Sequence, residues 1–411
     1  MTVQLSWLGK DAAITMASIP GAGCLNTHGH PVTVDGGNWI IEGDNLPVLQ
    51  ALRPTYQNRV RLIYIDPPYN TGQQLIYNDR HSGRADWLNM MMPRLILAKE
   101  MLRDDGAIFI SISDDERAAL EWVCDEVFGE TNALPSCVRV TKRTSNKGKH
   151  FSPSHDVVLG YAKDLRQLSE FKDPLTQNSP EYRRLFRYSD AKGAYNRVAL
   201  YMPSLDTRPN QRYWITCPDG SRVIPPEGKI FRWTEPTFLD KQGLGYVEFI
   251  QTNRSPLWDD AGGPAKWNVY TKLYLEERLE KGLRPTTVLS DNRFTNASGS
   301  KELIKMGIRF PFSKPRALIQ YLAAMMGVAS GDVVMDFFAG SGTTAHAMMS
   351  LNPLIEWILV QNSEPIPRRY LVGNPQVETI ADLCRYRVNL ACEGLQDPLR
   401  DPIIWREAIY G

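Results

Sequence analysis

The apolar run that ends in Asp66-Pro67-Pro68-Tyr69 limits the fold of this chain more than any other feature. Val60–Asp66 (VRLIYID) has strand length and does not alternate between apolar and polar residues. Such a run belongs in a sheet covered on both faces. Neither proline can continue the strand, because each fixes φ and lacks an amide donor. The strand therefore stops with a carboxylate, a rigid carbonyl and an aromatic ring at its carboxyl end. Ligand sites of open α/β sheets lie just beyond that end. Two readings are open at this point. One is a strand-to-turn junction with a capping Asp. The other is a pocket for an exocyclic amino group on a flat ring. There Asp66 and the Pro67 carbonyl would accept the amino hydrogens while Tyr69 stacks.

The flanking sequence alternates strand and helix. Asn38–Gly43 and Gly106–Ile112 read as strands, and so does Val157–Ala162. Helices are expected over 45–52, 86–103 and 114–129, with Pro93 kinking or breaking the second. A second α/β region begins near Lys314. It has helices over 315–326, 343–351 and 379–395 and strands over 332–338 and 357–360. This alternation predicts an α/β fold with a mostly parallel sheet. The stretch 164–300 differs, being rich in Pro, Gly, Trp, Tyr and Arg. The expected organisation is an arm at 1–37, one α/β half at 38–163, an insertion at 164–300 and a second half at 301–411.

Composition narrows the function class. With 411 residues of which 43% are apolar, the chain can bury a sizeable core. The net charge is +1, so nucleic-acid binding would need a local basic face. The cysteines fit free thiols, with no zinc-ligand spacing and no metal site expected. No apolar run of membrane-spanning length and no signal-peptide pattern occurs, so a cytoplasmic protein without a membrane partner is expected.

A second strand end carries Asp336–Thr344 (DFFAGSGTT). Gly340 and Gly342 permit a tight turn and close approach of backbone to a ligand, and the helix beyond offers free amides. No Lys follows the glycines, so this is not a nucleotide-binding P-loop. Glu364 lies about 22 residues beyond Gly342. An acid at roughly 20 residues often binds ribose hydroxyls. A plain tight turn and a solvated loop Glu are the alternatives.

Together these motifs resemble the β class of DNA amino-methyltransferases, in which a DPPY half precedes the cofactor-binding half. The likeness is greatest to modification subunits of type III restriction systems. It is carried by IIEGDNLPVLQAL, YIDPPYNTG, SHDVVLGYAKD, FPFSKPRALIQYLA and DFFAGSGTTAHAM, in that order. The resemblance implies a Rossmann-like S-adenosylmethionine-dependent methyltransferase fold, with a seven-stranded sheet circularly permuted in sequence and an inserted target-recognition domain. It implies S-adenosylmethionine as cofactor and double-stranded DNA as substrate. Asp66, Pro67, Pro68 and Tyr69 would be catalytic on a flipped-out adenine. Phe312, Ser313, Lys314 and Pro315 would lie beside the amino-acid end of the cofactor. Asp336, Phe338, Ala339, Gly340, Gly342 and Thr343 would line it, and Asp66 would face it. Glu364 would take the ribose, with Gln361 as a second candidate. Asp44 would sit near the cofactor adenine or simply cap the helix that follows.

Three readings compete within this resemblance. The expected reaction is methylation of adenine N6. Cytosine N4 methylation is the rival, although Ser often replaces the first tetrad residue there. A non-catalytic DNA-binding protein retaining the fold is the third. The basic stretch Arg139–Phe151 supplies Arg139, Lys142, Arg143, Lys147, Lys149 and Phe151 as candidate DNA contacts. The insertion supplies Arg183, Arg184, Arg187, Arg197, Arg208, Arg212 and Arg222. The family likeness also suggests a homodimer, acting alone or beside a type III restriction subunit.

Overall fold

The computed structural model describes residues 5–21, 23–27, 30–72, 81–142, 150–177, 179–206, 208–310, 313–367, 377–395 and 405–410. The chain forms two compact units, one of Met1–Lys172 with Pro285–Gly411 and one of Asp173–Arg284.

Among the described residues, the first unit is built on an eleven-stranded sheet. Numbered in chain order within it, the strands are β1 (Leu25–Thr27), β2 (His30–Pro31), β3 (Asn38–Glu42), β4 (Val60–Ile65), β5 (Leu102–Ile112) and β6 (Ala133–Val140). They continue with β7 (His155–Ala162), β8 (Val288–Leu289), β9 (Val333–Asp336), β10 (Glu356–Gln361) and β11 (Trp405–Tyr410). The spatial order is β8-β6-β7-β5-β4-β9-β10-β3-β11-β1-β2. From β5 through β4, β9, β10 and β3 to β11 every pairing is parallel. β7 runs antiparallel to both β5 and β6. The seven strands from β6 to β3 therefore form one contiguous block with one reversed member.

The helices of this unit are α1 (Lys10–Ser18), α2 (Asn45–Tyr56), α3 (Arg84–Met101), α4 (Arg117–Phe128), α5 (Asn296–Lys305), α6 (Arg316–Met325), α7 (Thr343–Leu351) and α8 (Ile380–Gly394). β4 and β9 are both buried along their whole length. This is why they read as unbroken apolar runs. From β4 the chain passes through α3 to β5 on one side of the sheet. From β9 it passes through α7 to β10 on the other. The order thus reverses between β4 and β9, and a crevice opens at their carboxyl ends.

Three local expectations change. α3 runs unbroken through Pro93, which is buried in it. The neighbouring Met90 carbonyl accepts from Arg94 Nη1 at 2.6 Å, so the helix keeps a side-chain bond beside the lost amide. β9 stops at Asp336 rather than Phe338, because Asp336 Oδ1 accepts the Phe338 amide at 3.0 Å and turns the chain. β6 has no counterpart in the sequence reading. It carries Pro135, with a register shift between Leu134 and Cys137 that accommodates the missing donor.

The second unit has a four-stranded antiparallel sheet of Val247–Gln251, Trp267–Tyr274, Gly193–Ala199 and Tyr188–Asp190. Its own small core includes Leu200, Phe231, Phe238, Leu257 and Val269.

Candidate active site

Asp66 follows the last residue of β4, and Asp336 ends the adjacent β9. A single cavity of the first unit is lined from both strand ends, by Asp66, Pro68, Ser313, Lys314, Asp336, Phe338, Ala339, Gly340 and Thr343. Asp44, Gln361 and Glu364 line it as well. The sheet order brings together residues almost three hundred positions apart.

At the β4 end, Lys314 Nζ donates to both Asp66 oxygens at 2.7 Å. The same ammonium stands 4.9 Å from the centre of the Tyr69 ring. A carboxylate and an aromatic face therefore hold one amino nitrogen between them. The tetrad is fixed from behind. Trp87 Nε1 on α3 donates to the Pro68 carbonyl at 2.7 Å. Tyr69 hydroxyl donates to Asp156 at 3.4 Å, and Asp156 is ion-paired with Arg139. Burial, followed by the Asp66 charge, holds the Tyr69 phenol well above its ordinary range, so it stays protonated. After Tyr69 the chain turns at Asn70, whose φ of 55° is in the left-handed region. Asn tolerates this conformation, and its amide donates to buried Glu116 at 2.9 Å.

At the β9 end, burial pushes the Asp336 carboxyl up to about 7, against the opposing pull of hydrogen bonds from Thr344 and Phe338. Thr344 Oγ1 donates to it at 2.5 Å. Gly342 has φ 77° at the start of α7. A Cβ there would lie 3.0 Å from Cys384 Sγ on α8, so the turn and α8 pack with no room for a side chain. The Gly340 amide donates to Gln361 Oε1 at 2.7 Å. Gln361 thereby braces the turn and offers the cavity only part of its amide.

At the β3 end, Asp44 is the N-cap of α2 and accepts the Leu46 amide at 2.8 Å. It also lines the cavity and pairs with Arg94 at 3.0 Å. Glu364 Oε1 accepts from Asn362 at 3.0 Å.

The basic stretch is distributed differently from its sequence. Arg139 is fully buried, bonded to Asp156 and to the Phe294 carbonyl at 2.8 Å. A guanidinium enclosed in this way supports Tyr69 through Asp156 and cannot meet a phosphate, which corrects its expected role. Its place on β6 explains this, since the strand carries it inward. Lys142 is partly exposed and Phe151 is 92% exposed. Phe151 lies just before β7, whose first residues enter the sheet beside the carboxyl end of β5. Arg143, Lys147 and Lys149 lie outside the described residues, as does Phe312.

Several buried or half-buried residues with polar groups that build the site were not singled out from sequence: Trp87, Arg94, Glu116, Asp156, Thr344 and Arg387. Two of them leave a legible trace. Arg94 interrupts the apolar run MMMPRLIL, and Arg387 interrupts the α8 stripe of Leu383, Cys384, Val388 and Ala391. A charge on the buried face of a helix marks a built polar contact.

The chain is similar in sequence to several named proteins. A sequence family described as DNA methylase matches residues 60–361, more than half of this 411-residue chain. The type II methyltransferase M.KpnI of Klebsiella pneumoniae is 30% identical over 383 residues, spanning 87% of this chain and 88% of its own length. The Mod subunit of the type III restriction-modification enzyme EcoP15I of Escherichia coli is 28% identical over 458 residues, covering 96% of this chain and 70% of the subunit. The StyLTI Mod subunit of Salmonella typhimurium is 30% identical over 396 residues, covering 85% of this chain and 56% of the subunit. The matched span contains both strand ends that meet in the cavity, and on these grounds the chain belongs to the DNA methylase family.

Proposed function

We propose that this protein transfers a methyl group from S-adenosylmethionine to the N6 amino group of an adenine flipped out of double-stranded DNA. The observation that carries this reading is the meeting of Asp66-Pro67-Pro68-Tyr69 and the Asp336–Thr344 turn across one cavity. Asp rather than Ser at position 66 and the likeness to type III Mod subunits favour adenine over cytosine N4.

The residues present fit the cofactor. The cavity lining includes Ser313, Ser341 and Thr343, whose hydroxyls suit a carboxylate. It also includes Asp44, Asn362 and Glu364, suited to ribose hydroxyls and the adenine edge. Asp66 lines the same cavity, where a cationic centre gains from negative charge. When bound, S-adenosylmethionine supplies a methyl group already activated as a sulfonium.

The chain's own residues do the rest. Lys314 now holds both Asp66 oxygens, and each keeps a lone pair with which to receive the substrate amino group. Asp66 and the Pro67 carbonyl then accept the two amino hydrogens, which raises electron density on the nitrogen. The Pro68 carbonyl is engaged by Trp87, so it serves rigidity rather than substrate. Tyr69 stacks on the flipped ring and offsets part of an unstacking cost of about a few kcal/mol. Fixed alignment of amino nitrogen and methyl carbon is worth up to roughly 7–11 kcal/mol.

DNA contacts are assigned to Lys142 and Phe151 of the described residues and to Arg143, Lys147 and Lys149. The insertion at 164–300 is assigned to target recognition. Within it Arg197 is bonded bidentately to Glu248 at 2.8 and 2.5 Å, whereas Arg183, Arg184, Arg187, Arg208, Arg212 and Arg222 are exposed. Arg208 and Arg222 stand beside Asp206 and Asp260 and Arg212 donates to the Pro225 carbonyl, so Arg183, Arg184 and Arg187 are the better candidates for bases or phosphates. A homodimer, alone or with a restriction subunit, completes the reading.

The test is to incubate the protein with DNA and methyl-labelled S-adenosylmethionine and identify the modified nucleoside. N6-methyladenine is expected. N4-methylcytosine would transfer the reading to cytosine, and an unlabelled product would end the catalytic one.

A further inference from the structure

Arg387 lies on the inner face of α8, with no exposed surface. Its Nη1 is 3.2 Å from Ser313 Oγ, 2.9 Å from Ser341 Oγ and 2.6 Å from Thr343 Oγ1. Ser313 Oγ in turn lies 3.1 Å from Ser341 Oγ and 3.3 Å from Thr343 Oγ1. All three residues line the cavity, whereas Arg387 does not. The carboxylate of Glu302 is 3.9 Å from Nη2, beyond hydrogen-bond reach. Nε and Nη2 have no hydrogen-bond partner among the described residues. Burial holds the guanidinium down to about 10, which leaves it charged at neutral pH.

A guanidinium only donates hydrogen bonds. Each hydroxyl that accepts from Arg387 must turn its own proton elsewhere. The contacts among the hydroxyls, and the 3.4 Å contact from Ser313 Oγ to the Lys314 carbonyl, engage these protons only with neutral acceptors. An anion in the cavity offers the Ser341 and Thr343 hydroxyls a stronger, charge-assisted acceptor, beside a guanidinium whose ion pair with Glu302 is long, at 3.9 Å. A buried cation in that condition favours an anion on the open side of the hydroxyls. The Lys314 ammonium does not supply this charge, since both its bonds to Asp66 direct it to the tetrad.

We propose that Arg387 is a positioning residue that makes Ser313, Ser341 and Thr343 into a receiver for the carboxylate of the cofactor's amino-acid end, without touching the cofactor. The inference rests on the cofactor reading above. It assigns selectivity for the carboxylate to a residue outside the cavity wall.

The experiment is calorimetric titration of S-adenosylhomocysteine and of its decarboxylated analogue, which keeps the amine. Wild-type protein should bind S-adenosylhomocysteine the more tightly. Arg387→Met should lose about tenfold or more in affinity for S-adenosylhomocysteine, in line with the loss of a charge-assisted hydrogen bond. Its affinity for the decarboxylated analogue should stay within about twofold by the same argument, and Arg387→Lys should recover part of the loss. Ser341→Ala with Thr343→Val, which keeps the cation but removes two receivers, should show the same selective loss and covers the case of a poorly folded Arg387→Met. Equal loss for both compounds in both variants overturns the proposal in favour of a packing role, and so does no loss. Wild-type protein that binds neither compound overturns the cofactor reading itself.

Discussion

Asp336 is a carboxyl almost wholly withdrawn from solvent, and its chemistry follows from that. Its folded value of about 7 lies above the ordinary 3.8, chiefly through burial. Between those values the native state holds a proton that the unfolded chain has released, so stability falls as pH rises. The protein without ligand should therefore be most stable below the ordinary carboxyl value as far as this group is concerned. It should lose that contribution from about pH 4 to about pH 7–8. Thermal unfolding of Asp336→Asn against wild type, scanned over that range, should show a gap that widens with pH in favour of the variant. A gap independent of pH would rule out the titration. At the end of β4, Asp66 is held by Lys314. Asp66→Ala should reduce methyl transfer by at least about 10²-fold, within the range for loss of a group handling protons at the reacting centre. S-adenosylhomocysteine affinity should change little, and labelled transfer together with calorimetry separates the two effects. Asp66 and Asp336 were legible in sequence because strand ends mark themselves, and Lys314 was singled out through the family resemblance. The partner of Lys314 was not, since 248 positions separate it from Asp66.

At the scale of elements, the site depends on two close packings. α5 abuts the segment that carries Ser313 and Lys314. A Cβ on Gly299 would lie 2.5 Å from the Ser313 carbonyl oxygen and 3.0 Å from Pro315 N, both backbone atoms that cannot rotate away. Gly299→Ala should cost about 1–3 kcal/mol by overpacking and weaken S-adenosylhomocysteine binding, read by thermal unfolding and calorimetry. α3 fixes the tetrad through Trp87, which is fully buried. Trp87→Phe keeps most of the packing but removes the donor to the Pro68 carbonyl. Turnover should drop several-fold with cofactor affinity unchanged, and a parallel loss of both would show general damage instead. Apolar periodicity predicted α2, α3, α4, α6, α7 and α8 and β3, β4, β5, β7, β9 and β10 to within a few residues. It missed α1, α5, the short edge strands and β6, whose Pro, Ser and Cys hide a strand stabilised by its neighbours, and with β6 the burial of Arg139.

For the whole molecule, 47 basic and 46 acidic residues nearly cancel, so DNA affinity must come from local faces. Replacing Arg183, Arg184 and Arg187 together by Ala should weaken duplex binding. If all three meet phosphates, the slope of log affinity against log salt should shrink by about 2.7, at roughly 0.9 per contact. Fluorescence anisotropy over a salt series measures this, and an unchanged slope would remove these residues from the phosphate contacts. Light scattering with and without DNA tests the dimer, and a strict monomer in both would exclude it. What the order of residues settled alone was local and directional: buried strands that stop at Asp66 and near Asp336, a Gly-rich turn opening a helix, and the two halves in permuted order. These are legible because burial, proline and glycine act on neighbouring residues. What only the folded chain decided was which distant groups share a dry space. Lys314 meets Asp66, Arg139 turns inward to Asp156, and Arg387 meets three hydroxyls. Those pairings follow from sheet order and helix packing, which bring residues together at separations where no local pattern carries information.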